Sequence, residues 1–500
     1  MTIQVPSLTL LVSGQALPDK LLQTLQEVRV QQRLSHPTQC ELTFQQPDEA
    51  IADWLQRGEA IQVEVENAAV PLFVGEITAV EYSYGPSGME EIRVRGYDLL
   101  HRLRKQQQVR SHVQLTVRDL AEELSNDLGL QVNAEKAGPI WPFLFQTYAS
   151  DLALLAATAE RCGLYLTLRE QMLHLLTLQE KPDTLSLVRG GNLLEARLEQ
   201  NDDATKSSVN AASWSPLRVE SYQAEASNGE TDFNLLDDIL LDEPNSELAL
   251  LNGVALDEMH TQALAQAEWD RRQATATTFW GVAAGDPQLQ PGKTVAVSGV
   301  AQAVAGNYVL TEVTHLINGR YGYITELNTQ PPQKQKRPFG STATVGTVTQ
   351  VNDPQDLGRV RVSLPTFGEV ETDWMHVLSP GGGQGKGLIA IPEAGDNVLV
   401  LLSQHDPGQG VVLGGLFGMG GPPDSGVEGG KVQQYSFVTR GGQRIRLDDA
   451  ANSVRLENSR GSYLEMRPGR VRLRSRTSLH IEAPGQAIVI KGKTIDFEQG

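Results

Sequence analysis

Cysteine is almost missing from this chain: Cys40 and Cys162 are the only two in 500 residues. That excludes a disulfide framework and any cysteine-based zinc site. Aromatic residues make up only 6%, which leaves little material for a large aromatic core. No apolar run approaches the ~18 residues of a membrane-crossing helix; the densest, Val398 to Leu402, is strand-sized. Basic charge is also short, with 42 Lys and Arg against 61 Asp and Glu and a net charge of −19, which argues against a dedicated nucleic-acid binder. The opening MTIQVPSLTLLVSG has neither a basic leader nor a long apolar segment. Cytoplasmic synthesis without a signal peptide is therefore expected.

What the chain does have is glycine, 47 residues, and enough hydrophobic material, 40%, to build real cores. Its length corresponds to about three domains. The charge is uneven: residues 431–500 hold 13 basic and 7 acidic residues, a net of +6, leaving −25 for the first 430. Breaks fall at Gln330–Pro338, where proline groups bracket a polar run, and at Gly420–Gly426. These give three expected domains, 1–335, 336–424 and 425–500.

The last segment repeats a five-residue unit with apolar second and fourth positions. The apolar pairs are Ile445/Leu447, Val454/Leu456, Leu464/Met466, Val471/Leu473, Leu479/Ile481, Ile488/Ile490 and Ile495/Phe497. Middle residues are charged or His in six of the seven units, Val489 being the exception. Strict alternation predicts strands with one buried and one wet face. The mean step is a little over eight residues, room for one strand and one turn. A β-solenoid coil of a single chain needs far more, so each unit supplies one side of a prism. Three chains close that prism and place all fourteen apolar residues on its axis. A monomeric meander or sandwich uses the same short strands; against it stands the lack of a covering layer after the repeat. The expectation is an intertwined trimeric β-prism.

The middle segment predicts strands at Ala343–Val351, Gly358–Leu364, Asp373–Leu378, Leu388–Ile391, Asn397–Leu402 and Gly410–Leu416, a pattern that fits an OB-type barrel. Leu357-Gly358-Arg359-Val360-Arg361-Val362 and Asp373-Trp374-Met375-His376-Val377 are followed by Gly385-Lys386-Gly387. Ile391-Pro392-Glu393-Ala394-Gly395-Asp396-Asn397-Val398, then Asp406-Pro407 and Val411-Val412-Leu413-Gly414, complete the series. In this order the segment resembles the barrel of the VgrG and phage tail-spike family; Gly410 departs from it, standing where the family usually has proline. Gly358, Arg359, Val360, Trp374, Gly387, Pro392, Gly395, Asp396, Val398, Asp406, Pro407 and Gly414 carry the likeness.

Residues 1–335 are similar to the family's hub. A helix is predicted from the Thr116 cap through Leu120, Leu124 and Leu128 to Gly129, and a second from Ser150-Asp151 to Gly163. A hairpin follows, Leu164–Leu168 with Met172–Leu176. Leu289-Gln290-Pro291-Gly292 and Tyr308 to His315 add to the likeness. The fold class expected is mainly β with an α+β hub of two barrel-like subdomains, an OB-fold neck and a triple-stranded β-helix needle.

The resemblance implies a structural spike of a contractile phage-tail-like injection system, not an enzyme. It implies a homotrimer that links inner tube and baseplate hub proteins to the tip and pierces a target membrane. A PAAR-repeat tip protein would sit on Ile495 and Phe497, and effector cargo is a further partner. The absence of a fused effector resembles extracellular particles; a type VI secretion or phage baseplate spike is the nearer alternative. A β-helical tailspike enzyme acting on polysaccharide is the competing class.

The chain shows no convincing chemical site. Pro380–Gly387 lacks phosphate-loop spacing, since Lys386 is followed by Gly387 rather than Ser or Thr. The nine histidines do not fall at metal-site spacing; even His101 and His112 lack a third candidate ligand. Asp448 and Asp449 are strand neighbours and point to opposite faces, and Cys162 reads as a core thiol. No catalytic, cofactor-binding or metal-binding residue is assigned. Asp237, Asp238, Asp242, Glu243 and Glu247 read as a solvated acidic loop. Arg470, Arg472, Arg474 and Arg476 read as cross-strand partners of Glu465 and Glu482, with a lipid-facing basic belt as the other option.

Overall fold

The computed structural model describes residues 5–202, 206–215, 219–227, 247–254, 256–334 and 340–498. Of the acidic loop, Asp237, Asp238, Asp242 and Glu243 lie outside these residues, while Glu247 opens the strand Glu247–Val254. The chain divides into two compact units, Met1–Gly415 and Leu416–Gly500.

The first unit is dominated by an eleven-stranded sheet. Seven of its strands come from the first hundred residues, between Leu8–Val12 and Glu90–Tyr97, and four from residues 193–328. The two groups join where Leu25–Arg33 pairs antiparallel with Glu312–Asn318. Alternation dictates the burial: in Gln39–Gln45 the residues Cys40, Leu42 and Phe44 are buried and the residues between them are not. The sheet serves two cores, one around Val28, Phe44, Ile61 and Val94, the other around Phe279, Val295, Leu310 and Leu327. The sequence led to an expectation of two barrel-like subdomains; the strands of both groups lie in one continuous sheet.

Helix Val117–Ser125 starts where expected. Thr116 Oγ1 accepts the Asp119 N–H at 3.2 Å, and Asp119 Oδ2 accepts the Thr116 N–H at 2.8 Å, a reciprocal cap. Asp151–Arg161 is capped by Ser150 Oγ on Ala153 N–H at 3.3 Å. Both helices pack on the hairpin Tyr165–Arg169 and Met172–Leu176 through Leu120, Leu155, Leu166 and Leu173. The 19-residue helix Glu258–Ala276 has no counterpart in the sequence expectations. Its buried face mixes alanines with polar residues such as His260, Glu268 and Gln273, and Trp269 is its one large buried apolar side chain, so its apolar periodicity is faint. It covers the sheet formed by Ser208–Ser215, Glu220–Ala226 and Glu247–Val254.

The second half of the hub carries a fully buried histidine. His315 Nε2 lies 3.1 Å from the Leu289 carbonyl, and Nδ1 faces the Tyr323 and Thr325 hydroxyls at 3.1 and 3.2 Å. A carbonyl can only accept, so Nε2 carries the proton and Nδ1 receives one. Burial pushes this imidazole down to about 4.

The residues after 340 form a six-stranded sheet around Val348, Val360, Val362, Val398, Val400 and Leu402. The Leu388–Ile391 segment is not a strand: it is exposed coil, with Ile389 85% accessible. Gly387, at φ +142°, precedes it, and Pro392 removes a donor after it. The strand expected at Gly358–Leu364 begins at Arg361, with Val360 making an isolated bridge to Met375. The second unit contains one five-stranded sheet, described below.

Two outcomes follow. His315 is neutral in the fold and takes up a proton readily only when unfolded. Its contribution is therefore complete above pH ~6.5 and is lost as pH falls toward 4, by up to ~3 kcal/mol. Denaturant titrations from pH 7 to 4 should show this slope, and His315→Gln should flatten it. At Gly346, an added Cβ would lie 2.3 Å from Val362 Cγ1 and 2.8 Å from the Ser363 carbonyl. Gly346→Ala should cost about 1–3 kcal/mol, read as a lower melting temperature of the barrel.

Candidate assembly surfaces

The barrel motif residues divide by task. Asp353 and Arg359 form a bidentate pair, Nε to Oδ2 at 2.9 Å and Nη2 to Oδ1 at 2.7 Å. The same carboxylate accepts the Gln355 and Leu357 N–H groups at 3.0 Å each. One side chain thus closes the 353–359 turn, which Gly358 completes at φ +69°. The Arg359 hydrogen bonds, assisted by these N–H donors, hold the Asp353 carboxyl far below the usual carboxylate range. Val360 and Val398 are fully buried in the barrel core. Trp374 lies beneath Arg361, 5.2 Å from guanidinium carbon to ring centre. Asp396 accepts the Glu393 N–H at 2.8 Å and bends the Pro392–Gly395 turn. Gly387 and Gly414 occupy positive φ, the first exposed and the second half-buried.

Asp406 and Pro407 do something the sequence did not disclose. Asp406 Oδ1 accepts the Gly408 N–H at 2.8 Å, and the Gly408 backbone lies against the Phe145 ring of the hub. Tyr148 donates to the Thr366 carbonyl at 3.0 Å and its ring sits 5.9 Å from Phe367. Arg361 also faces Phe143 at 5.7 Å. The strand Trp141–Gln146 and the turn after it therefore seat the barrel on the hub. The alternating Phe143 and Phe145 were the available signal.

The second unit is a meander. Gln434–Val438, Arg444–Asp448, Ser453–Glu457, Tyr463–Arg467 and Arg470–Arg474 pair consecutively and antiparallel. The first of these strands was missed, because its middle residue is Ser436, although Tyr435 and Phe437 keep the alternation. In register, Phe437, Ile445, Leu456, Leu464 and Leu473 form one apolar column. Tyr435, Leu447, Val454, Met466 and Val471 form the column beside it on the same face. Among the described residues that face is left largely uncovered: Leu473 is 57% exposed and Val471 69%. A groove of about 480 Å³ runs along it between Phe437, Ile445, Leu456, Leu464, Leu473 and Leu479.

Beyond Arg474 the expected strands are absent. Leu479, Ile481, Ile488, Ile490, Ile495 and Phe497 lie in exposed coil, although their sequence pattern is unchanged. Among the described residues these segments pair with no strand, although the outer edge of Arg470–Arg474 is open, so the alternating pattern alone does not make a sheet. Ile495 and Phe497 are 50% and 91% exposed.

The opposite face carries charge, and its pairing differs from the sequence expectation. Glu465, 4% exposed, is held by Arg467 at 2.9 Å and Arg455 at 3.4 Å. Arg455 is also paired with Glu457 at 2.9 Å and lies over the Tyr463 ring. Glu465 is thereby occupied before strand Arg470–Arg474 reaches it. Glu482 lies near His480, at 3.9 Å, rather than near an arginine. Among the described residues, Arg470, Arg472, Arg474 and Arg476 form no ion pair; Arg472 approaches only the Tyr463 ring, at 5.9 Å.

Comparison with known proteins agrees with this geometry. Residues 344–417 match the model of the type VI secretion system/phage-baseplate injector OB domain. Among solved structures, the chain is similar to the E. coli c3393 protein, a type VI secretion component described as similar in structure to the T4 tail proteins gp27 and gp5. That match has 13% identity and a TM-score of 0.53, covering 83% of this chain and all of the other. It is also similar to a chain of the Francisella PdpA-VgrG complex, at 10% identity and TM-score 0.55, covering 94% of this chain and 88% of that one. No curated protein matches the sequence. The fold class is that of the VgrG-like spikes of type VI secretion and phage baseplates. More particularly, residues 2–319, 318 of the 500, match the Alg8 N-terminal domain model, and the chain belongs to that family.

The Asp353–Arg359 pair yields a test. Asp353→Asn should cost about 2 kcal/mol at neutral pH, the value of charged hydrogen bonds lost at a side chain covered by its partners in an otherwise exposed turn. The depressed carboxyl gives stability that is present above pH ~4 and lost as pH falls below it. Acid unfolding curves of the variant should therefore be flatter there than those of the parent.

Proposed function

We propose that this protein is the central spike of a contractile, phage-tail-like injection apparatus, working as a homotrimer and without enzymatic activity. The observation that carries the reading is the uncovered apolar face of the sheet Gln434–Arg474. Ten alternating apolar residues in two columns are more than a solvated strand face holds, and two further copies of the same face would cover them. On this reading Ile445, Leu447, Val454, Leu456, Leu464, Met466, Val471 and Leu473 form the needle core, continued by Leu479, Ile481, Ile488, Ile490, Ile495 and Phe497. The working parts are a hub at 1–335, an OB neck at 336–424 and a needle at 425–500.

Function is then mechanical. The hub would join inner tube and baseplate proteins, and the neck would transmit force. The needle would be driven through a target membrane when a sheath contracts, with effector cargo travelling on the same assembly. Ile495 and Phe497, with the last strand edges, form the platform for a PAAR-repeat tip, since an open apolar end needs a cap. Assembly in an extracellular particle is the setting we favour. The needle's two parts take different roles: residues 434–474 pair within their own chain, whereas 478–498 find strand partners only on neighbouring copies.

Mass measurement in solution should give a trimer, and a stable monomer that cleaves bacterial glycans would overturn the reading. Leu473→Asp places three carboxylates on the axis and should weaken trimerisation at least a hundredfold; removal of 431–500 should do at least as much. Hydrogen exchange should find amides of 435–473 protected at every protein concentration. Those of 478–498 should gain protection only where the trimer forms.

A further inference from the structure

We infer that Arg470, Arg472 and Arg474, continued by Arg476, form a binding stripe for the phosphate groups of an anionic lipid surface. In strand Arg470–Arg474 the three arginines alternate with Val471 and Leu473, so they occupy the face opposite the apolar columns. Two residues of strand place successive guanidinium groups about 6.6 Å apart. All four side chains are exposed and, among the described residues, none has an acidic partner. The nearest acid in the sheet, Glu465, is engaged by Arg455 and Arg467, both through Oε1.

Assembly does not remove this excess. Residues 467–476 contain five arginines and no acid, and residues 431–500 contain 13 basic and 7 acidic residues. Each added copy brings the same surplus of six positive charges, so residues 431–500 keep a net positive sign however many copies assemble. Guanidinium groups bind phosphate oxygens bidentately and are weakly hydrated, which favours headgroups over water as their partner. The rest of the chain is strongly acidic, with −25 on residues 1–430, so net charge alone would keep the protein off an anionic membrane. Attraction must come from this local stripe. The inference adds a ligand chemistry to the proposed membrane-crossing role but does not require the trimer.

The test uses the full-length chain with vesicles of phosphatidylcholine alone and of phosphatidylcholine with phosphatidylglycerol. Co-sedimentation should show binding only to the second, weakening as salt rises. Each arginine near such a surface contributes about fivefold. The triple variant Arg470→Gln, Arg472→Gln, Arg474→Gln should therefore bind about a hundredfold more weakly with an unchanged circular dichroism spectrum. Arg57→Gln, Arg189→Gln, Arg320→Gln makes the same change in net charge within the hub and should bind like the parent. Equal binding by the stripe variant, equal binding to both vesicles, or displacement by duplex DNA at the same concentration as vesicles would each overturn the inference. The mass of the same sample separates the two readings: a trimer that ignores phosphatidylglycerol sinks only the stripe, and a monomer that binds it sinks only the trimer.

Discussion

The architecture of the C-terminal region depends on one constraint: a pleated strand has two faces, and this chain makes one of them oily throughout. Period-two alternation fixes the register, because a slip of one residue would send every valine and leucine to the wet side. In the pairing observed, apolar residues meet apolar residues in both columns, and arginine, glutamate and serine meet on the reverse. The five strands from Gln434 to Arg474 form a single layer, with only the short pair Val427–Glu428 and Lys431–Val432 as a second sheet in this unit. The hub and barrel follow the opposite logic. Their alternating faces find partners within the chain, and Phe44, Phe279, Val360 and Val398 disappear completely from solvent.

Electrostatics divides along the same boundary. The ion pairs in the barrel are local devices: one carboxylate, Asp353, closes a turn by gathering Arg359 and two backbone N–H groups. On the reverse of the meander a single buried carboxylate, Glu465, serves two arginines from different strands. There the acids are exhausted before the arginines are, which gives that surface a sign opposite to that of the hub.

Much of this was legible in the sequence wherever the physical signal is local. The caps at Thr116 and Ser150, the hairpin after Gly163, the barrel strands and the first four needle units all rest on neighbouring residues that decide their own conformation. What escaped was set by distant partners. The pairing of Leu25–Arg33 with Glu312–Asn318 joins segments almost three hundred residues apart, and no window contains both. The helix Glu258–Ala276 hides its apolar face in alanine. Leu388–Ile391 has strand composition but sits between a glycine and a proline that deny it a ladder. The last three units of the repeat have the right alternation, yet among the described residues they pair with no strand. Alternation puts the apolar residues of the first four units on one face of the sheet; the partnerships of the arginines opposite were not legible, because Arg455 and Arg467 compete for Glu465 from positions that simple cross-strand counting does not weigh.

The meander also sets a scale of length. Its strands stack side by side, so each five-residue unit with its turn extends the sheet by one interstrand spacing, about 4.8 Å. Turn lengths vary between units while strand lengths do not, so the growth per unit is constant however the corners are built. Duplication or loss of one such unit in the gene would lengthen or shorten the structure by a fixed increment and leave the register of every other strand intact. The repeat is therefore a unit by which this sheet can grow or shrink in whole steps.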